Sequence, residues 1–253
     1  MRKIVSVINH KGGVGKTTSV VSIAACLGQM GKKVLVVDID PQGSASVSLG
    51  FHDSGGSILN AFKGAGSLPV VETKAPGVAL VPSGPEFAEA RHRFSGSIGS
   101  NILERCLRNT EGKWSWIIID CPPTLEILTL NALNSSRHVI VPVEAHFLGL
   151  NGLNQIKTAV EAAGKKNKQL AIEAVVPCRA HLRRRVHREV MAELEKIFPG
   201  RVAPAVRENV SLAEAPGRGL PIILYAPKSI GAEDYKRVSR WLSKKIKKEQ
   251  TVS

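Results

Sequence analysis

Short, nearly continuous apolar runs recur along this chain with longer amphipathic stretches between them, and that alternation narrows the fold more than any other feature. The runs are Ile4–Asn9, Val34–Asp38, Val78–Val81, Trp116–Asp120, Val139–Val143, Ile172–Val176 and a weaker one near Val202–Val206. Runs of this kind, without polar alternation, mark strands buried on both faces of a parallel sheet. Between them lie Thr17–Met30, Pro85–Phe94, Ile98–Asn109, Leu125–Asn134, Leu150–Ala163, Arg184–Phe198 and Ala232–Lys248, with the length and spacing of helices. Strand and helix alternate throughout, which predicts a doubly wound α/β fold, a mostly parallel β-sheet flanked by helices. The segment His52–Pro76, rich in Gly and Ser, reads as a variable surface connection around a short helix. No linker demands a second domain, so residues 1–253 are expected to form one.

Immediately after the first run stands Lys11-Gly12-Gly13-Val14-Gly15-Lys16-Thr17-Thr18, and an amphipathic helix follows. Glycines let the backbone curl so that successive N–H groups face phosphate oxygens, beside the positive end of a new helix. Lys16 can then reach the β- and γ-phosphates and the Thr17 hydroxyl can hold Mg²⁺. The match to G-x-x-x-x-G-K-[ST] breaks once, because His10 stands where the first glycine belongs. Asp38 and Asp40 close the second apolar run and Asp120 closes the fourth, where ligands of open α/β sheets bind. Period-two alternation points Asp38 and Asp40 the same way. One aspartate at a strand end is ordinarily a cap or turn residue; three beside a phosphate loop point to metal and water chemistry.

The loop resembles the deviant Walker A of the ParA/MinD/Soj family of partition and positioning ATPases, with Lys11 at the place of that family's signature lysine. The likeness continues through Val34–Gly43 and Ile117–Pro123, then Asn209–Pro216, then Pro221–Tyr225 with Gly231-Ala232-Glu233 and Tyr235. These blocks span nearly the whole chain in the family's order, and the short Soj-like ParA proteins are the nearest in kind. The resemblance implies a P-loop NTPase fold and a Mg²⁺-dependent ATPase that turns ATP and water into ADP and phosphate. Lys11, Lys16 and Asp40 would be catalytic: Lys11 would reach the partner subunit's nucleotide in an ATP-dependent sandwich homodimer, and Asp40 would position the attacking water. Lys11, Gly12, Gly13, Val14, Gly15, Lys16, Thr17 and Thr18 would cradle the phosphates. The metal would be served by Thr17, Asp38, Asp40 and Asp120, with Asp38 acting through water. The adenine would meet Pro177, Cys178, Val206 and Asn209.

Charge separates the chain into two parts. Lys and Arg number 35 against 21 Asp and Glu, a formal net charge of +14. Residues 1–178 hold 18 basic and 13 acidic side chains, whereas residues 179–248 hold 17 and 7. A gradient of this kind suggests a polyanion partner for the last third. Arg183, Arg184, Arg185 and Arg188 open one helix, Arg207, Arg218 and Lys228 lie on later loops, and Lys236, Arg237, Arg240, Lys244, Lys245, Lys247 and Lys248 decorate the last helix. Val238, Trp241, Leu242 and Ile246 share the other side of that helix and would pack on the domain. The expected partner is double-stranded DNA, bound through phosphates without base readout. The resemblance adds a ParB-like or other cargo adaptor that stimulates hydrolysis, and a cytoplasmic, nucleoid-associated location.

Two alternatives compete with this reading. MinD relatives insert a C-terminal amphipathic helix into anionic lipid, but the lysine-dominated Lys244–Ser253 offers little apolar area for it. A metabolic P-loop enzyme is the other; a reductase of the iron-protein kind needs paired cluster cysteines, and Cys26, Cys106, Cys121 and Cys178 form no C-x-x-C. Their wide separation also predicts free thiols in a reducing compartment. The family pattern is broken at His10, Ser44, Glu208 and Ser211, the last two being places where Soj-like proteins often carry arginine.

Overall fold

The computed structural model describes residues 2–52, 58–64, 66–94, 99–146, 150, 152–181 and 184–248. Its centre is a seven-stranded sheet in the order β3-β4-β2-β5-β1-β6-β7. The strands are β1 (Lys3–Val7), β2 (Val34–Asp38), β3 (Val71–Glu72), β4 (Val78–Val81), β5 (Trp116–Asp120), β6 (His138–Glu144) and β7 (Ala171–Cys178). All neighbours pair in parallel except β3, which lies antiparallel on the edge beside β4. The helices are α1 (Lys16–Gln29), α2 (Ser44–Ser48), α3 (Ile58–Gly64), α4 (Glu89–Arg93), α5 (Ile102–Asn109), α6 (Ile127–Ser135), α7 (Leu153–Gly164), α8 (Arg185–Ile197), α9 (Val210–Glu214), α10 (Ile222–Tyr225) and α11 (Ile230–Lys248).

Every residue of β2 and β5 is buried, which explains their unbroken apolar sequence. Alternate side chains serve opposite layers: Ile117 and Ile119 join the core under α5–α8, whereas Trp116 and Ile118 join the core under α1, α10 and α11. The last helix packs as its periodicity predicts, with Val238, Leu242 and Ile246 fully buried in the second core and Trp241 against it.

Two expectations fail at the sheet's edges. The weak run at 202–206 forms no strand; single bridges join Val202 to Val175 and Arg207 to Ala180. Ala and Pro interrupt its β-branched content, and the segment follows β7 as an irregular connection. Conversely, the Gly/Ser-rich connection supplies β3, a strand too short to show as a periodic run. All four cysteines are free and buried. Among the described residues, no helix is long and apolar enough to cross a membrane.

Candidate functional site

Strand register assembles the site. β5 lies between β1 and β2, with Asp120 opposite Val7 on one side and opposite Asp38 on the other. The chain leaves β1 for the glycine loop just where those carboxylates end their strands. Sequentially, β1 is followed by β2 on one side of it and later by β6 on the other, so the loop sits where strand order reverses, the usual binding crevice of such sheets.

The loop is anchored at its start. Asn9 donates from Nδ2 to the Pro142 carbonyl at 2.7 Å, and its Oδ1 accepts the Lys11 N–H at 2.9 Å. Gly13 and Gly15 then take φ of 72° and 94°, which side-chain-bearing residues adopt only with strain, and α1 begins directly after Gly15. Built-in Cβ atoms at Gly12 and Gly13 would meet nothing within 4 Å, and both glycines line the cleft described below. Lys16 is buried and donates from Nζ to the Lys11 carbonyl at 3.1 Å. Burial pulls its ammonium below the ordinary lysine range, against the attraction of Asp120 and Asp40.

The three aspartates divide the work. Thr17 donates its hydroxyl to Asp120 Oδ2 at 2.7 Å, while Asp120 Oδ1 is buried without a partner. Asp40 accepts the Gln42 N–H at 3.0 Å and borders the cleft. Asp38 is turned to structure: it accepts the Asp40 N–H at 3.1 Å, and the Ser46 N–H and hydroxyl at 2.9 and 2.7 Å. It thereby ties the start of α2 to β2, and among the four residues expected at the metal it is the one already saturated by the protein. Burial raises Asp38 to about 6, with Asp40 adding to the rise; burial and then the charge of Asp38 lift Asp120 well above the usual carboxylate range.

That pocket of crowded, desolvated carboxylates suits a cation. Among the described residues no three His, Cys, Asp or Glu side chains form a ready cage for a metal. Mg²⁺ does not require one: it keeps several waters and takes one or two protein oxygens plus phosphate. Thr17 Oγ1 and the orphaned Asp120 Oδ1 fit that demand.

Facing the loop is a cleft of about 1210 Å³, with Gly12, Gly13, Gly15, Lys16, Thr17, Thr18 and Asp40 on one side and Cys178, Val206, Asn209 and Leu212 on the other, while the Val14 side chain is buried and does not line it. Pro177 does not line it; its carbonyl accepts the Val206 N–H at 2.8 Å and so supports that second wall from behind. Arg179, His181, Arg207 and Tyr235 border the cleft as well. Of these, Tyr235 had a signal in the sequence through the family resemblance, and Arg207 only as a loop cation of the basic third. Lys11 is half-exposed at the mouth and pairs at 3.4 Å with Glu144, which also holds His146 and Arg179.

The basic residues differ in exposure and in the partners they already have. Arg184, Arg185 and Arg188 are exposed around the start of α8, and Arg185 is paired to Glu189 at 2.7 Å. Arg218, Lys228, Arg240 and Lys244 are exposed elsewhere, and Lys236 reaches the Pro227 carbonyl at 3.2 Å. Lys245 departs from the outward stripe: it bonds the Gly200 carbonyl at 2.8 Å, approaches buried Glu173 at 3.8 Å and lies over Trp241. The helical turn places it beside the domain, where it anchors α11. Arg183 lies outside the described residues, and Lys247 and Lys248 close α11.

Comparison with known proteins agrees with this geometry. The AAA_31 family model, described as an AAA domain, matches residues 2–172. The sporulation initiation inhibitor protein Soj of Bacillus subtilis (strain 168) is 38% identical over 242 residues, 93% of this chain and 96% of that protein. The chromosome partitioning protein ParA of Caulobacter vibrioides is 32% identical over 249 residues, 94% of this chain and 92% of that protein. Among solved structures, cobyrinic acid a,c-diamide synthase from Mycobacterium smegmatis, with bound ADP and magnesium, superposes with a TM-score of 0.85 at 29% identity, covering 98% of this chain and 97% of that one.

Proposed function

Since the chain belongs to the ParA/MinD family of P-loop NTPases, we propose that it is a Mg²⁺-dependent ATPase of the ParA type. It forms ATP-bound sandwich homodimers on non-specific double-stranded DNA, and so positions or segregates a cargo. A ParB-like or other adaptor stimulates its hydrolysis, and the protein works in the cytoplasm on the nucleoid. The observation that carries the reading is the Thr17–Asp120 bond beside an unpartnered, buried Asp120 Oδ1, at the end of a glycine loop that buries Lys16.

In this reading the loop N–H groups and Lys16 bind the phosphates, and Thr17 and Asp120 hold Mg²⁺. When bound, Mg²⁺ supplies charge that neutralises the β- and γ-phosphate oxygens. Asp40 orients water for attack on the γ-phosphorus. Lys11 exchanges its resting pair with Glu144 for the partner subunit's phosphates; an exposed pair of that kind is worth only about 0–1 kcal/mol. Arg184, Arg188, Arg218, Lys228, Arg240 and Lys244 are exposed cations available for DNA, and Asp38 serves the site by holding Asp40 and α2 in place.

Light scattering of the Asp40→Ala variant tests the reading. ATP with Mg²⁺ should give a stable dimer that hydrolyses poorly and is retained on DNA until salt is raised, because counterion release governs phosphate contacts. Monomers at saturating ATP, or DNA retention indifferent to salt, would overturn it. Amide formation in the presence of ATP, a test prompted by the diamide synthase name of the Mycobacterium structure, would favour a metabolic enzyme instead.

A further inference from the structure

Two consecutive residues near the start of α11 grip opposite walls of the cleft. Asp234, fully buried, accepts the Arg207 backbone N–H at 2.9 Å, its Nε at 2.9 Å and its Nη2 at 2.7 Å. It is also paired with Arg237, one turn along the same helix. Tyr235 shares a 3.0 Å hydrogen bond with Ser19 of α1, the helix that begins with Lys16 and Thr17. Arg207 sits between Val206 and Asn209 on the wall away from the phosphate loop, and all three border the cleft. Asn209 Oδ1 is buried there without a partner, an acceptor left over once the protein's own bonds are made.

A carboxylate that takes one arginine's backbone N–H and the Nε–Nη2 edge of its guanidinium fixes the main chain as well as the side chain. We propose that Asp234 is a positioning residue for nucleotide recognition: acting through Arg207, it holds the wall that receives base and sugar, and leaves the phosphates to the loop at 11–17. The inference rests on the nucleotide-binding reading of the cleft. It adds a residue that touches no ligand and lies 27 positions from the one it controls.

The test compares ATP with inorganic tripolyphosphate, each with Mg²⁺, in calorimetric titrations of the full chain. Asp234→Asn should weaken ATP binding about tenfold or more, the scale of a lost charge-assisted bond, and leave tripolyphosphate within about twofold. Arg207→Ala should match it, and the double variant should be no worse than either single change. Arg207→Lys, which keeps the charge but not the fork, gives a milder loss of the same kind if Asp234→Asn fails to fold. Arg237→Gln removes the partner that is not on the wall, and ATP affinity should hold. Equal weakening of both probes, full additivity in the double variant, or loss in Arg237→Gln would each overturn the proposal. A native chain that binds neither probe overturns the nucleotide reading first, and this inference with it.

Discussion

On one side of the cleft the chain is shaped by its own backbone; on the other it is held by a side chain from a distant helix. The phosphate-side loop takes positive φ at Gly13 and Gly15, is pinned at its start by Asn9, and leads directly into α1. The opposite wall follows β7 through single bridges, and where it turns away at Arg207 its fixed point is Asp234 on α11. A wall made from contiguous backbone is set by local conformation. A wall made by a long-range ion pair is only as firm as the packing of α11, so the two should fail differently when perturbed.

Lys16→Ala should produce the largest effect and define the phosphate side. Its ammonium is the buried cation of the cleft, close to Asp40 and Asp120. Losing it should cost ATP and tripolyphosphate alike, by about a hundredfold or more, since a hydrogen bond to charged phosphate contributes about 1.5–3 kcal/mol before its electrostatic share. Titration with both ligands is the measurement. A loss confined to ATP would erase the distinction between the walls.

The same contrast explains what the sequence disclosed. Six of the seven strands were legible as apolar runs because both their faces are buried, and β2 and β5 are the plainest cases. The phosphate loop was legible because its function resides in consecutive residues. Register then did what no motif states: it set Asp120 against Asp38 and placed Thr17 on the former. For Asp38, period two gave the direction but not Ser46, the hydroxyl it meets eight residues later. Arg207 was legible only as one more loop cation of the basic third and Asp234 not at all, because their pairing spans 27 positions of sequence. Lys245 misled for a related reason: helical spacing shows an apolar face, not whether a lysine at its border bends inward to Gly200 and Glu173.

Gly12→Ala should sharpen the comparison at intermediate size. A Cβ there meets nothing within 4 Å, and Gly12 is not among the residues with positive φ. The free protein should therefore keep its melting temperature within about 1–2 °C, as surface changes free of strain do. Because Gly12 lines the cleft, a methyl group there should lower affinity for both phosphate ligands by about tenfold, the scale of one displaced phosphate contact. A drop in melting temperature without a drop in affinity would mean that the loop is a structural turn.

The smallest effect sets one buried aspartate of each wall against the other. Asp38 is raised to about 6 because burial outweighs its bonds to Ser46 and Asp40. Its folded value lies above the unfolded one near 3.8, so the folded state binds the extra proton between those values, and the stability contribution grows as pH falls through that window. Asp234 is opposite in sign: burial pushes it up, but the hydrogen bonds from Arg207 and Arg237 more than offset this and hold it below the usual range. Its contribution is intact above the unfolded value and is lost only at lower pH. His187, depressed by burial, loses stability as pH falls below its ordinary value and would blur a simple melting curve. Differences between variants remove that background. From pH 7 to pH 5, the melting temperature of the native chain minus that of Asp38→Asn should rise, while native minus Asp234→Asn should stay flat. Parallel trends in the two differences would mean that both walls bury their charge in the same way, and the contrast drawn from their hydrogen bonds would not hold.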